Sequence, residues 1–168
     1  MGEMTLFCGR LKLRLADQHD VRWVYELNND PLWVRYIGNR SVHSIADARR
    51  YIDNALSHFE RWGYGLWVIE RRDTGKAQGM CGLINRGIFS SPDLGFALLK
   101  DARGKGYAQE ASAAVLDWAA RHHRFPYITA MAHPDNNSSQ KLLGRLGFNR
   151  QGMIFMPNVA RQILFRRD

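Results

Sequence analysis

Cysteine is scarce in this chain: Cys8 and Cys81 are the two present in 168 residues. They lie far apart and form no C-x-x-C pair, so the sequence predicts free thiols rather than a disulfide framework or a zinc site. The six histidines add no metal pattern. His122 and His123 are adjacent, and on a helix they point in different directions. No metal is expected. No apolar run reaches the roughly eighteen residues that a membrane helix needs. The N-terminus, Met1-Gly2-Glu3-Met4-Thr5, lacks the apolar block of a secretion signal and predicts a cytoplasmic location. Internal repeats, low-complexity tracts and linkers are also absent, which leaves one domain over residues 1–168.

Apolar residues make up 45% and charged residues 24%, the balance of an ordinary globular protein with a sizeable core. The net charge is +8, carried mostly by scattered arginines. A basic balance of this kind fits an anionic cofactor, a nucleic-acid surface or mere composition, and does not choose among them.

Periodicity supplies the elements. Residues 10–15 alternate as Arg-Leu-Lys-Leu-Arg-Leu, a half-buried strand. Asp17 reads as the N-cap of a helix that must end near 28–30, because Pro31 follows. A loop covers 31–40. Ser44 and Asp47 open a second helix, which Gly63 closes. Residues 64–72 and 77–85 form a hairpin in which Gly79 and Gly82 mark a bulge. A strand over 93–99 leads through Gly104 and Gly106 into a helix that ends before Pro126. A strand over 127–132, a helix over 136–146, and strands near 149–155 and 159–166 around a Pro157-Asn158 turn complete the chain. The order β-α-α-β-β-β-α-β-α-β-β predicts an α/β (mixed α+β) fold, one mixed sheet flanked by helices.

The strand–loop–helix at 93–108 is the strongest chemical signal. A helix start leaves backbone N–H groups unpaired and aimed along the dipole, which suits an anion. Gly104, Gly106 and Ala108 let a phosphate approach the main chain, and Arg103 and Lys105 add charge. A P-loop requires Ser or Thr after Gly-Lys, but Gly106 follows Lys105. A dinucleotide fingerprint requires glycine at 109, where Gln109 stands.

The segment Arg103-Gly-Lys-Gly106-Tyr-Ala108 resembles the cofactor motif of the GNAT superfamily of N-acetyltransferases, Gln/Arg-x-x-Gly-x-Gly/Ala. A second block, Asn136-Asn-Ser-Ser139 through Leu-Gly-Phe148, is similar to the branch that contains the ribosomal-protein N-terminal acetyltransferases. The resemblance covers nearly the whole chain. It implies acetyl-coenzyme A as co-substrate, with two central strands splayed apart to hold its pantetheine arm. The expected contacts are the backbone of Phe96, Ala97 and Leu98 for that arm, residues 103–108 (Arg103, Gly104, Lys105, Gly106, Tyr107, Ala108) for the diphosphate, and Asn136 near the thioester.

The implied reaction is direct attack of a neutral amine on the thioester, which requires a route for the amine proton. Asp93 is the first candidate base and His133 the second; Glu70 reads better as a salt-bridge partner. Many family members place a tyrosine four residues before the glycine of Gly-Phe as acid for the leaving thiolate. Leu143 stands there, and Ser139, one helical turn earlier, is the substitute. Trp33, Tyr36, Trp62 and Trp67 could stack on a substrate but read first as core residues, and Arg35, Arg40, Arg49 and Arg50 read first as a solvated face that could draw an acidic acceptor or ribosomal RNA. The implied partner is a ribosomal protein or a small amine, with monomer and homodimer both open. The alternative is a non-catalytic acyl-coenzyme A sensor or an RNA-associated module on the same fold. RNA binding wants aromatics exposed on a sheet face, and the sequence offers no convincing set.

Overall fold

In the computed structural model, which describes residues 4–157 and 159–168, eight strands join in one sheet. The expectations for Met1–Glu3 and for Asn158 at the last turn lie outside the described residues. The strands are β1 (Leu6–Cys8), β2 (Leu11–Arg14), β3 (Leu66–Arg71), β4 (Ala77–Ile84), β5 (Asp93–Leu98), β6 (Ile128–Ala132), β7 (Asn149–Met156) and β8 (Val159–Arg167). Their spatial order is β1-β2-β3-β4-β5-β6-β8-β7. All neighbours pair antiparallel except β5 and β6. The helices are α1 (Val21–Asn28), α2 (Pro31–Tyr36), α3 (Ile45–Trp62), α4 (Tyr107–His122) and α5 (Asn137–Arg145).

This is the α/β mixed sheet expected, with two additions. β1 precedes the alternating strand and pairs with it across Gly9, whose positive φ of 50° suits glycine. Three residues are too few to show a period. The segment at 31–40, expected as a loop, contains α2. Pro31 stops α1 and also opens the next helix, because proline needs no amide partner at the first helical position. Asp30 caps it by accepting from the Leu32 amide at 2.9 Å. The helix start at Asp17 first forms a 3₁₀ turn (Gln18–Asp20), closed by a reciprocal Asp17–Asp20 capping box, and then becomes α1.

Two apolar faces result. Leu11, Leu13, Trp67, Cys81, Leu83 and Leu94 pack against α4 through Ala111, Val115 and Trp118. On the other face Val68 meets α1 and α3 through Val24, Ala48 and Ile52. Trp67, with no exposed surface, lies edge-on between Phe59 and Trp118 at 5.0 Å from each ring, so it belongs to the core. Trp62 sits near the solvent end of α3, 40% exposed, with Arg61 over its ring.

The bulge expected in β4 is present: Ile69 faces Gly79 while Glu70 faces Ala77, which leaves Gln78 extra. Gly82 has a different role, since a Cβ there would lie 1.9 Å from the Gly65 carbonyl oxygen. Gly79 holds β4 against the strand that matters most. A Cβ there would lie 2.1 Å from the Ala97 oxygen of β5, and its φ is 153°. Gly79→Ala is expected to lower stability by about 1–3 kcal/mol, the range for forced overpacking. Urea denaturation tests this; a midpoint equal to that of the parent chain would contradict the close approach.

Candidate active site

β5 and β6 pair only at Asp93–Thr129 and Leu94–Ala130. Beyond Leu94 they separate, while β5 stays paired to β4 as far as Leu98. Backbone groups alternate along a strand, so beyond Leu94 those of Phe96 and Leu98 face the gap, whereas the Ala97 carbonyl, expected there, points to Gly79 of β4. A cleft of about 970 Å³ runs through this gap. One end is the loop after β5; the other lies between Asp93, α3 and the β7–β8 hairpin.

The loop end is built from glycines in left-handed conformations, Gly104 at φ 75° and Gly106 at φ 81°. Gly106 is the N-cap of α4 and brings no side chain to cap it. Among the described residues, the amides of Gly104 to Ala108 donate to no protein acceptor. Such a row at a helix start is an anion cradle. The Arg103 amide differs from the expectation for 103–108: it already donates to the Lys100 carbonyl at 3.3 Å. The Arg103 guanidinium also pairs with Asp30 at 2.9 Å, so it ties the loop to α2 more than it charges it. Burial raises the Asp30 carboxyl, but the bonds from Arg103 and the Leu32 amide outweigh this and hold it below the usual carboxylate range. Lys105 is exposed and does not line the cleft. The Tyr107 ring is buried in the core, so only its backbone can serve a ligand.

Arg10 braces this loop from below. It donates to the Lys105 carbonyl at 2.9 Å, sits 4.7 Å from the Tyr107 ring centroid, and approaches Glu110 at 3.4 Å. No short motif could reveal it, since it lies 95 residues from its carbonyl partner.

The side chains proposed for chemistry share the same cleft. Asp93 is 2% exposed. It accepts from Arg86 Nε at 2.9 Å and from Thr129 Oγ1 at 3.0 Å. Burial raises its pKa against the pull of Arg86, Thr129 and Arg40. Glu70 pairs with Arg14 at 2.5 Å, as its sequence context suggests. His133 directly follows β6 and packs 5.3 Å from the Tyr36 ring. Its Nδ1 accepts from the Asp135 amide at 3.1 Å, which leaves the proton of the neutral ring on Nε2. That tautomer has no free lone pair, which favours Asp93 over His133 as a base.

Asn136 is the N-cap of α5 and accepts from the Ser139 amide. Its own amide donates to Ser139 Oγ at 2.9 Å, so the Ser139 hydroxyl keeps its proton to give. Leu143 is fully buried, and no hydroxyl replaces the missing tyrosine at that point. Tyr36 and Trp33 also border the cleft. Among the described residues, no group of three or more His, Cys, Asp or Glu side chains is arranged to hold a metal. No described helix is long and apolar enough to cross a membrane.

A sheet opened between two parallel strands, with an unpartnered helix N-terminus beyond the first of them, defines an acyl-coenzyme A-dependent transferase. Residues 10–149 match the acetyltransferase (GNAT) domain, and the chain belongs to that family of N-acetyltransferases. It is 26% identical over 151 residues to the uncharacterized protein YkkB of Bacillus subtilis, covering 88% of this chain and 87% of that one. Its fold matches an acetyltransferase from Agrobacterium tumefaciens with a TM-score of 0.85 at 23% identity, over 100% and 96% of the two chains. It also matches a ribosomal L7/L12 α-N-protein acetyltransferase solved with coenzyme A, with a TM-score of 0.82 at 18% identity over 97% of each chain.

The Asp93–Arg86 pair yields a prediction independent of any ligand. Arg86→Met strands a buried carboxylate and should cost about 3–5 kcal/mol near neutral pH. Burial already holds the Asp93 pKa above that of an ordinary aspartate, and losing Arg86 removes one of the groups that pull it down. Its contribution to stability is then present at low pH and lost as pH rises through the folded-state value. Urea denaturation at pH 5 and pH 8 should show the larger deficit at pH 8; equal deficits would contradict the pairing.

Proposed function

We propose that this chain transfers an acetyl group from acetyl-coenzyme A to a primary amine, either a protein N-terminal α-amine or the amine of a small molecule. One observation carries the reading. Among the described residues, the amides of Gly104 to Ala108 have no protein partner, and they stand where β5 leaves its gap with β6. Those amides would hold the diphosphate, with Arg103, Lys105 and Arg10 shaping the loop around it. The gap-facing main chain of Phe96 and Leu98, on either side of Ala97, would pair with the pantetheine arm, and Asn136 would border the thioester. Acetyl-coenzyme A supplies the activated acetyl group.

Asp93 is the proton acceptor in this reading. A lysine amine, with a pKa near ~10.4, is almost wholly protonated at neutral pH, while an α-amine near ~8 is much less so. Two hydrogen bonds leave the Asp93 carboxylate with further acceptor capacity, and burial raises its pKa, which makes it a stronger base than an exposed carboxylate. A backbone N–H near Leu98 would face the developing oxyanion, and because Asp93 lies about 17 Å along the strand from it, the amine proton would reach Asp93 through water. The Ser139 hydroxyl would protonate the departing thiolate.

The test is acetyl-coenzyme A with a panel of peptide N-termini, polyamines and amino acids, scored by thiol release. Gly106→Glu should abolish coenzyme A binding by calorimetry while the circular dichroism of the fold is retained, because a carboxylate would meet the diphosphate. Undiminished binding would overturn the loop assignment. Asp93→Asn should reduce kcat by about 100-fold, within the range for loss of a general base. Ser139→Ala should slow turnover, and an unchanged rate over the full pH range would remove that hydroxyl from the reaction.

A further inference from the structure

The end of the cleft opposite the glycine loop holds more positive charge than its own residues neutralise. Side chains alternate along β5, so Leu94 and Phe96 face α4 and Asp93 faces α3. Arg40, Tyr51 and Arg86 border the cleft on the Asp93 side. Arg86 is matched by Asp93 at 2.9 Å. Arg40 forms no ion pair among the described residues, although Arg35 and Arg50 nearby each find an aspartate. Two guanidinium groups against one carboxylate leave one positive charge over.

That charge is poorly placed to serve the diphosphate. Asp93 and Leu98 stand about 17 Å apart by the rise of a strand, and the glycine loop lies beyond Leu98. The surplus therefore sits on the side from which an acceptor would approach. Arg40 is exposed where it borders the cleft, and so is open to an approaching acceptor.

Resting on the transferase reading above, we propose that the acceptor amine carries a carboxylate and that Arg40 receives it at the α3 side of the cleft. A guanidinium takes a carboxylate in a planar, two-bond fork, which would orient the amine as well as retain it. Tyr51 stands beside it as a phenol, since burial raises its pKa despite Arg40 and Arg86. Its hydroxyl can donate to the same anion. Asp93 is already engaged by Arg86 and Thr129, so the incoming carboxylate need not displace it. A carboxylate of this kind belongs either to an amino-acid-like small molecule or to an acidic side chain just after a peptide N-terminus.

The test uses matched acceptors. One arm compares C-terminally amidated tripeptides that differ only in glutamate or glutamine at the second position. The other compares small amino acids with their carboxamides. At saturating acetyl-coenzyme A, kcat/KM should favour the acid form by on the order of tenfold in at least one arm, as expected for a charge-assisted contact. The arm that responds identifies the source. Arg40→Gln should bring that ratio close to one without changing coenzyme A affinity. Arg49→Gln removes the same charge from an exposed position outside the cleft and should leave the ratio intact. Equal rates for acid and neutral forms in both arms, or a ratio that survives Arg40→Gln, would overturn the proposal while leaving acetyl transfer standing. Failure of the parent chain to bind coenzyme A would overturn both.

Discussion

The parting of β5 from β6 after Leu94 is the constraint on which the rest of the molecule depends. Two adjacent strands in the interior of a sheet would normally satisfy each other's main-chain groups. Here the pairing stops after two residue pairs, and the exposed edge of β5 is left for something else. The separation can persist because each strand is secured on its other side. β5 is paired to β4 along its whole length, with Gly79 allowing the closest contact, and β6 is paired to β8 from Ile128 to Ala132.

The charges follow from that opening. At one end the chain presents bare amides and almost no side chain, because Gly104 and Gly106 adopt backbone conformations that larger residues resist. Arg103 and Arg10, which might seem to offer charge to a ligand, are spent on Asp30 and on the Lys105 carbonyl. The cradle is thus mainly dipolar and held in shape by arginines behind it. At the other end a buried carboxylate, Asp93, is kept company by Arg86 and Thr129, and Arg40 adds charge beyond what Asp93 answers.

Much of this is legible in the sequence, for reasons that differ by residue. Helix caps are local, so Ser44 and Gly63 declare themselves within four residues of what they bind. The glycine loop is legible because its spacing is the mechanism. β1 is too short to carry a period, and α2 hides behind a proline that reads first as a stop. Arg86, Thr129 and Arg10 carry no local signal, since their partners are brought to them by the sheet and by the loop. Arg103 shows the limit most clearly: its place in the motif is plain, but its use as a tether to Asp30 needs the fold, 73 residues being spanned.

Hydrogen–deuterium exchange of the backbone amides, with and without acetyl-coenzyme A, addresses the central claim most directly. Amides at 104–108, which lack protein acceptors among the described residues, and the gap-facing amides of Phe96 and Leu98 should exchange fast alone and become protected together when the ligand is added. Protection confined to other segments, or none at saturating ligand, would contradict the account.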